Sequence, residues 1–174
     1  KKPSVVMICI TCVDALLGTD MERVCHKAEE YAGIPVKPCY MYALTREGRK
    51  PPMVHVRQSI YSLLEPKKKK GNVVNLLGYF SPLVDDCELY ELLHGAGVKT
   101  IHEISRCSDY AEYQTMAEAN FNLVLHPEAR FAAEDFHDRL KIPYIELRRL
   151  YQIDKIASQY RAFGAALGVE FDDE

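Results

Sequence analysis

Residues 72–82 of the chain read NVVNLLGYFSP, a short apolar run that leads into a glycine and then a proline-containing turn. The apolar part is rich in Val and Leu and is bounded by turn residues, which is typical of a buried strand in a parallel sheet. The residues that follow have helical periodicity, and this alternation recurs on both sides of the segment. Residues 72–77 are therefore predicted to form one strand of a repeated βα arrangement, with residues 78–82 as its exit loop.

Six strands separated by helices are predicted from this alternation. The strands are expected at residues 5–10, 34–39, 72–77, 98–104, 121–125 and 142–146. The helices are expected at residues 19–33, 53–64, 85–94, 109–117, 128–140 and 153–167, with residues 13–18 as a loop. Such a chain is expected to form an α/β fold, with a doubly wound, mainly parallel, Rossmann-like sheet and helices on both faces.

Local signals set the ends of two helices in the first third of the chain. Thr19 and Glu22 have the spacing of a capping box, and Gly33 is a natural C-cap. The helix that follows Pro51 is expected to be amphipathic and to bury one face. That face is predicted to contain Val56, Ile60, Leu63 and Leu64.

A run of four lysines at residues 67–70, followed by Gly71, marks the expected internal boundary. Residues 1–70 are predicted to be a first βαβα portion, and residues 71–174 a Rossmann-like portion of βα repeats. The lysines have no aromatic residues between them, which favours a solvated loop over a binding patch. Because an apolar strand follows Lys1 almost at once, we expect one compact unit excised from a longer chain.

Composition excludes several classes of protein. The 174 residues are 48% hydrophobic and 27% charged, as in folded globular proteins and unlike disordered ones. The formal net charge of −3 provides no basic field for nucleic acid. No apolar run approaches the roughly 20 residues that cross a bilayer, and no export signal is recognisable. The expected protein is cytoplasmic and binds neither nucleic acid nor membranes.

The six cysteines are expected to be reduced thiols, because a chain of this size needs no disulfides and carries no export signal. Cys9, Cys25 and Cys87 are interpreted as core or helix-packing residues. Cys9 and Cys12 have the spacing of a redox pair. Such a pair normally opens a helix, whereas Cys9 falls inside a predicted strand, so this interpretation is disfavoured.

Parallel sheets bind ligands beyond the carboxyl ends of their strands, near the point where strand order reverses. The residues that the sequence places at these ends are Cys9, Cys12, Cys39, Tyr79, Ser105, Arg106, Cys107 and His126. The glycine-rich nucleotide-binding motifs and the nucleophile elbow of hydrolases are absent from the sequence. His126 is the best placed of the six histidines, although a solvated or hydrogen-bonded imidazole is the alternative.

Several segments, taken in order, resemble the nitrogenase component 1 family. They are TCVDALLGTDM at residues 11–21, VNLLGY at residues 74–79, ANFNLV at residues 119–124 and KIPY at residues 141–144. A further similarity covers the helix end at residues 91–99. The resemblance extends over nearly the whole chain. It implies a Rossmann-like domain of an oxidoreductase that receives electrons from an ATP-dependent iron–sulfur reductase and works with a second component-1-type subunit.

The same resemblance implies roles for particular residues. Cys12 matches the family cysteine that ligates an iron–sulfur cluster between subunits, and thiolates are the usual ligands of such clusters. Cys39, Cys107 and His126 are further candidate metal ligands. The upstream cysteines that would complete the set are missing from this chain. The cluster is therefore expected only in the full-length assembly, and an isolated domain is expected to hold no cofactor and to be inactive.

Three departures from the family pattern affect the expected function. His126-Pro127 stands where catalytic subunits carry a cysteine ligand of the molybdenum–iron cofactor, which disfavours nitrogen fixation. Residues 43–49, ALTREGR, replace a glycine-rich segment, so a different substrate pocket is expected. Thr19 replaces the first aspartate of the family's Gly-Asp-Asp, whereas Asp20 is kept.

Three functional hypotheses remain open at this point. The first is an internal domain of a nitrogenase-like oxidoreductase with an unidentified substrate. The second is a non-catalytic Rossmann-like module that binds a small ligand, since the same fold hosts many functions. The third is a scaffold for cofactor maturation.

Overall fold

The computed structural model describes residues 2–41 and 51–171. The chain divides into two compact units, Lys1–Leu63 and Leu64–Glu174, so the lysine run falls within the second unit. The predicted pocket segment at residues 43–49, with the loop residues Arg46, Glu47, Gly48 and Arg49, lies outside the described residues.

Within residues 2–41 and 51–63, the first unit contains a two-stranded parallel sheet and three helices. Its elements are β1 (Val6–Ile10), α1 (Cys12–Leu16), α2 (Met21–Ala32), β2 (Val36–Tyr40) and α3 (Pro52–Tyr61). The two strands pair in register from Val6 opposite Val36 to Ile10 opposite Tyr40. Helices α2 and α3 both pack on β2.

The prediction of a loop at residues 13–18 was wrong, because α1 forms directly after β1. The Asp14 carboxylate accepts hydrogen bonds from the backbone N–H and the hydroxyl of Thr11, at 3.0 and 3.1 Å, and so caps this short helix. The predicted N-cap of α2, Thr19, was one residue early. Asp20 caps α2 by accepting from the Arg23 backbone N–H at 3.0 Å. The end at Gly33 is confirmed by its left-handed φ of 65°.

Helix α3 buries a different face from the predicted one. Its buried residues are Val54, Arg57 and Tyr61, whereas Val56 and Ile60 are only half-buried. Leu63 and Leu64 are buried as predicted but lie beyond the end of the helix. The prediction from apolar spacing was wrong because the buried face includes Arg57 and Tyr61. These side chains are less hydrophobic than Val56 and Ile60, so the spacing of apolar residues did not select them.

The second unit contains a four-stranded sheet with helices. Its elements are β3 (Val73–Leu77), α4 (Glu88–Gly95), β4 (Thr100–Glu103), α5 (Tyr110–Thr115), β5 (Phe121–Val124), α6 (Arg130–Leu140), β6 (Tyr144–Glu146) and α7 (Ile153–Leu167). Short 3₁₀ turns lie at Ile104–Arg106, Met116–Glu118 and Pro127–Ala129. The strand order is β4-β3-β5-β6 and every pairing is parallel.

The parallel α/β architecture is confirmed, but the six strands of the described chain form two sheets rather than the single predicted sheet. In the larger sheet the chain passes from β3 to β4 on one side and then returns to β5 on the other. Strand order therefore reverses between β3 and β5, and the carboxyl ends of these neighbouring strands flank the switch point.

Both faces of the larger sheet are covered, which explains why every residue of β3 is buried. On one face Val74 and Leu76 pack with Leu93 of α4 and Phe163 of α7. On the other face the alternate residue Asn75 donates a hydrogen bond to the Met116 carbonyl at 2.9 Å. This burial places β3 in the interior of the unit.

The lysine run is anchored at its carboxyl-terminal end. Lys69 Nζ donates to the Ala117 carbonyl at 2.6 Å, and the Lys70 backbone N–H donates to the Glu118 carbonyl at 2.8 Å. The Lys70 ammonium also pairs with the Glu118 carboxylate. These lysines hold the 3₁₀ turn Met116–Glu118 in place.

No helix within residues 2–41 and 51–171 is long and apolar enough to span a bilayer.

His102 of β4 predicts a pH dependence of stability. Burial lowers the pKa of this imidazole from its usual 6.5, whereas Glu112 and Glu118 act in the opposite direction. Because the unfolded chain then binds the proton more readily, the stability that neutral His102 contributes is fully present above pH 6.5 and is lost as pH falls from there through the lower folded-state pKa. We expect His102→Gln to flatten the decline between about pH 7 and pH 5. Urea unfolding followed by circular dichroism would measure it, and equal slopes for the two proteins would contradict this expectation.

Candidate functional site

A cleft of about 590 Å³ opens at the carboxyl ends of β3, β5 and β6. The residues that line it come from the exits of these strands and from the start of α6. They are Tyr79, Leu125, His126, Pro127, Arg130, Glu146, Leu147, Arg148 and Arg149. The cleft thus lies at the switch point of the sheet, where ligands of open parallel sheets bind.

Gly78 allows the exits of β3 and β5 to approach each other closely. Its φ is 142°, and a Cβ at this position would lie 2.7 Å from the His126 backbone nitrogen and 2.8 Å from the His126 Cβ. The Leu125 N–H donates to the Leu77 carbonyl at 2.8 Å, which ties the two exits together. Only glycine satisfies both the backbone conformation and the contact.

His126 is held in a defined orientation at the edge of the cleft. Its Nδ1 accepts a hydrogen bond from the Glu128 backbone N–H at 3.3 Å. The imidazole also makes an edge contact with Tyr79, with ring centroids 5.7 Å apart. The Nδ1 bond assigns the proton of the neutral ring to Nε2, which can donate to an acceptor. The His126 side chain is 37% exposed, so a ligand can reach it.

Glu146 organises two of the three arginines in the cleft. Arg130 Nη2 lies 2.9 and 2.7 Å from the two carboxylate oxygens of Glu146, and Arg130 Nε lies 3.1 Å from Oε2. Arg148 Nη2 approaches the same Oε2 at 3.5 Å. Glu146 is only 13% exposed, whereas the arginine side chains are 41% and 61% exposed. The carboxylate therefore positions the guanidinium groups and leaves part of each free.

The charges of the cleft favour an anionic ligand. The cleft lining contains three arginines, Arg130, Arg148 and Arg149, and one carboxylate, Glu146, although the whole chain carries a net charge of −3. Guanidinium groups bind carboxylates, phosphates and other oxyanions through paired hydrogen bonds. With the Nε2–H of His126, the site can hold an anion by charge and by directed donors.

A second polar cluster serves the structure of the unit. The Glu103 carboxylate accepts from the Leu83 backbone N–H at 3.0 Å, from the Tyr90 hydroxyl, and from Arg106 Nε at 3.0 Å. Arg106 also donates to the Leu83 carbonyl and to Asp85, at 3.0 and 2.6 Å. Hydrogen bonds to Asp85, Tyr90 and Glu103 raise the pKa of Arg106. Arg106 thus holds the segment after β3 in place through hydrogen bonds. It is not among the residues that line the cleft.

The predicted metal ligands lie on different elements of the chain. Cys12 is the first residue of α1 and is partly exposed, while Cys39 is buried in β2. Cys107 Sγ donates to the Glu103 carbonyl at 3.4 Å, and burial raises the pKa of its thiol. Of the four candidates only His126 lines the cleft. Within the described part of the chain, no three His, Cys, Asp or Glu side chains are grouped as a metal site.

Sequence reasoning missed Arg130, Glu146, Arg148 and Arg149. The signal was present at the exit of the sixth strand, where two adjacent arginines follow Glu146 and Leu147. Arg130 offered no comparable signal, because a charged residue in the first turn of a helix is ordinarily solvated. Its place in the site depends on the pairing of β5 with β6.

The whole chain, residues 1–174, matches the family model described as nitrogenase component 1 type oxidoreductase. The chain belongs to this family. It is 26% identical over 170 residues to the nitrogenase iron-molybdenum cofactor biosynthesis protein NifE of Nostoc sp. (strain PCC 7120), covering 95% of the chain and 35% of that relative. It is also 26% identical to NifE of Klebsiella pneumoniae, covering 95% of the chain and 39% of that relative.

The fold of this nitrogenase component 1 domain is similar to that of nitrogenase Cp1. The solved structure of Cp1 at pH 5 has a TM-score of 0.65, with 21% sequence identity, and the match covers 95% of the chain and 34% of Cp1. The resemblance inferred from the sequence motifs is therefore confirmed. The chain spans between a third and two fifths of the length of these NifE relatives.

Proposed function

We propose that this chain is one domain of a scaffold protein for metal-cofactor maturation, and that its basic cleft forms part of the wall that holds an anionic cofactor or precursor. The arginine pair ordered by Glu146 at the switch point carries the proposal, because these guanidinium groups give the cleft local positive charge in a chain whose net charge is negative. The similarity to NifE, whose name describes cofactor biosynthesis, supports a scaffold over a catalytic subunit.

The residues of the cleft suit such a ligand in charge and donor type. Arg130, Arg148 and Arg149 supply positive charge, and the His126 imidazole supplies either a hydrogen bond or a nitrogen ligand. A bound metal cofactor would supply the electron-transfer chemistry. The chain's own residues neutralise the ligand, orient it through Arg130 and His126, and line one side of its site.

Cys12 is proposed as an iron–sulfur cluster ligand in the full-length assembly only. It lies at the start of α1, held by the hydrogen bonds between Thr11 and Asp14. Among the described residues no three His, Cys, Asp or Glu side chains are grouped for a metal, and a cluster usually takes about four ligands. The remaining thiolates would come from other segments of a longer protein or from a second component-1-type subunit. The isolated domain is proposed to hold no cluster.

A nitrogenase-like oxidoreductase is the second candidate function, favoured by the family to which the chain belongs. In that case the full-length protein would take electrons from an ATP-dependent iron–sulfur reductase and pass them to a substrate. The two candidates differ in turnover. A scaffold releases its cofactor to an apo-acceptor protein without consuming a substrate, whereas an oxidoreductase retains it through repeated cycles.

We expect Arg130→Ala to weaken cofactor binding by about tenfold, since one charged hydrogen-bonded contact contributes roughly 1.4 kcal/mol. The probe is isolated nitrogenase iron–molybdenum cofactor, titrated anaerobically onto the full-length protein that contains this chain, with bound metal measured after gel filtration. Arg161→Ala, on the exposed surface of α7, removes the same charge away from the cleft and should change affinity less than about twofold. Equal affinity of Arg130→Ala and the unmodified chain would refute the proposed binding site.

A further inference from the structure

The two-stranded sheet of the first unit places two cysteines side by side. Cys9 of β1 and Cys39 of β2 are register partners in the parallel ladder. Paired strands lie about 4.8 Å apart and register partners carry their side chains on the same face. This separation falls within the Cα–Cα range that disulfides span, about 4.4 to 6.8 Å.

The two thiols differ in their access to solvent. Cys9 is exposed, whereas Cys39 is 4% exposed. Burial raises the pKa of the Cys39 thiol, and the adjacent Cys9 raises it further. An exposed thiol beside a protected one is the arrangement of redox-sensitive pairs, in which the first reacts and the second resolves the product. A dissolved oxidant would therefore reach Cys9 first.

We propose that Cys9 and Cys39 form a peroxide-reactive dithiol that closes to an intramolecular disulfide. The Cys9 thiolate attacks one oxygen of hydrogen peroxide, the O–O bond breaks, and the departing hydroxide takes up the thiol's proton as water. Cys39 Sγ then attacks Cys9 Sγ, the S–O bond breaks, and the hydroxyl leaves with the Cys39 proton as a second water. Two thiols are oxidised to one disulfide and one peroxide is reduced to two waters.

The structure thus gives Cys9 a partner that differs from the one its sequence spacing suggests. Spacing pairs Cys9 with Cys12, but Cys12 has left the strand and opens α1. The ladder pairs Cys9 with Cys39, thirty positions away in the sequence. The disulfide would bind β1 to β2 close to Cys12. The inference is independent of the proposed function, because it needs neither a ligand in the cleft nor a cluster at Cys12.

Peptide mapping tests the proposal on the reduced 174-residue chain treated with hydrogen peroxide, alkylated with N-ethylmaleimide and digested without reduction. Trypsin leaves Cys9 and Cys12 on residues 2–23 and Cys39 on residues 28–46, because the Lys2–Pro3 and Lys37–Pro38 bonds resist cleavage. We expect these two peptides to be joined and two of the six thiols to be lost.

Three variants assign the bond. Cys12→Ser should still give the joined peptides, whereas Cys9→Ser and Cys39→Ala should not. In Cys39→Ala the Cys9 sulfenic acid should persist and react with dimedone. Circular dichroism shows whether Cys39→Ala, a substitution at a buried site, still folds. If Cys39→Ala unfolds, the results for the unmodified chain and for Cys12→Ser decide the proposal. A bond through Cys12, bonds between chains, or oxidation of Cys9 without a link would each overturn it.

Discussion

Replacing Gly78 by alanine is expected to destabilise the chain by about 3 kcal/mol or more. The new Cβ would lie 2.7 Å from the His126 backbone nitrogen and 3.3 Å from its Cα, so backbone rather than a flexible side chain must move. The φ of 142° adds strain for any residue with a Cβ. Since the clash pushes the exits of β3 and β5 apart, the cleft should also lose affinity for anions.

Urea unfolding followed by circular dichroism measures the effect, since the chain contains no tryptophan for fluorescence. Gly95→Ala is the matched control. Gly95 ends α4 without positive φ, and a Cβ there meets nothing within 4 Å. Because alanine favours the helix, the control should be neutral or more stable by up to about 1 kcal/mol. A Gly78→Ala chain as stable as this control would show that the two strand exits tolerate separation.

Asn75→Asp is expected to cost about 4 kcal/mol or more at neutral pH. Asn75 is fully buried at the centre of β3. Its Nδ2 donates to the Met116 carbonyl at 2.9 Å and to Asn122 Oδ1 at 2.7 Å. A carboxylate of the same shape would replace this donor with an acceptor and place an unpaired negative charge against two oxygens.

Lowering the pH should reduce this cost, because a protonated carboxyl regains one donor. Burial raises the folded-state pKa of the new group above its unfolded value, so the penalty grows as pH rises. Asn120→Asp is the matched control. Asn120 uses only its Oδ1, which accepts from the Val73 N–H at 3.1 Å, and it is exposed, so the change should cost less than about 0.5 kcal/mol. Similar losses in both variants, measured by urea unfolding at several pH values, would contradict the assigned orientation of Asn75.

Much of the architecture could be predicted because its signals are local. The last helix has the predicted bounds, Ile153–Leu167, and Gly33 ends α2 as expected. Apolar runs predicted every strand to within a few residues. The same signals failed at α1, since a helix of five residues has too few turns to show a period. They also failed on the buried face of α3, where Arg57 and Tyr61 replace aliphatic residues.

The candidate site could be predicted only in part. His126 was identified because it follows a strand, and its place in the cleft depends on that position alone. Arg130 and Glu146 are sixteen residues apart in sequence, and neither one indicates the other. Their pairing requires β6 to lie beside β5, a long-range contact that local periodicity does not specify.

The sequence by itself determined the α/β class, the order of the elements and the family. The reason is that apolar periodicity, helix caps and ordered motifs depend on residues that are close together in the sequence. The tertiary structure decided how the strands divide into two sheets and which side chains meet. It assembled the cleft from three strand exits and paired Cys9 with Cys39 rather than with Cys12. The physical reason is that strand pairing and register arise from contacts between distant segments, whose free energy depends on the packing of the whole unit.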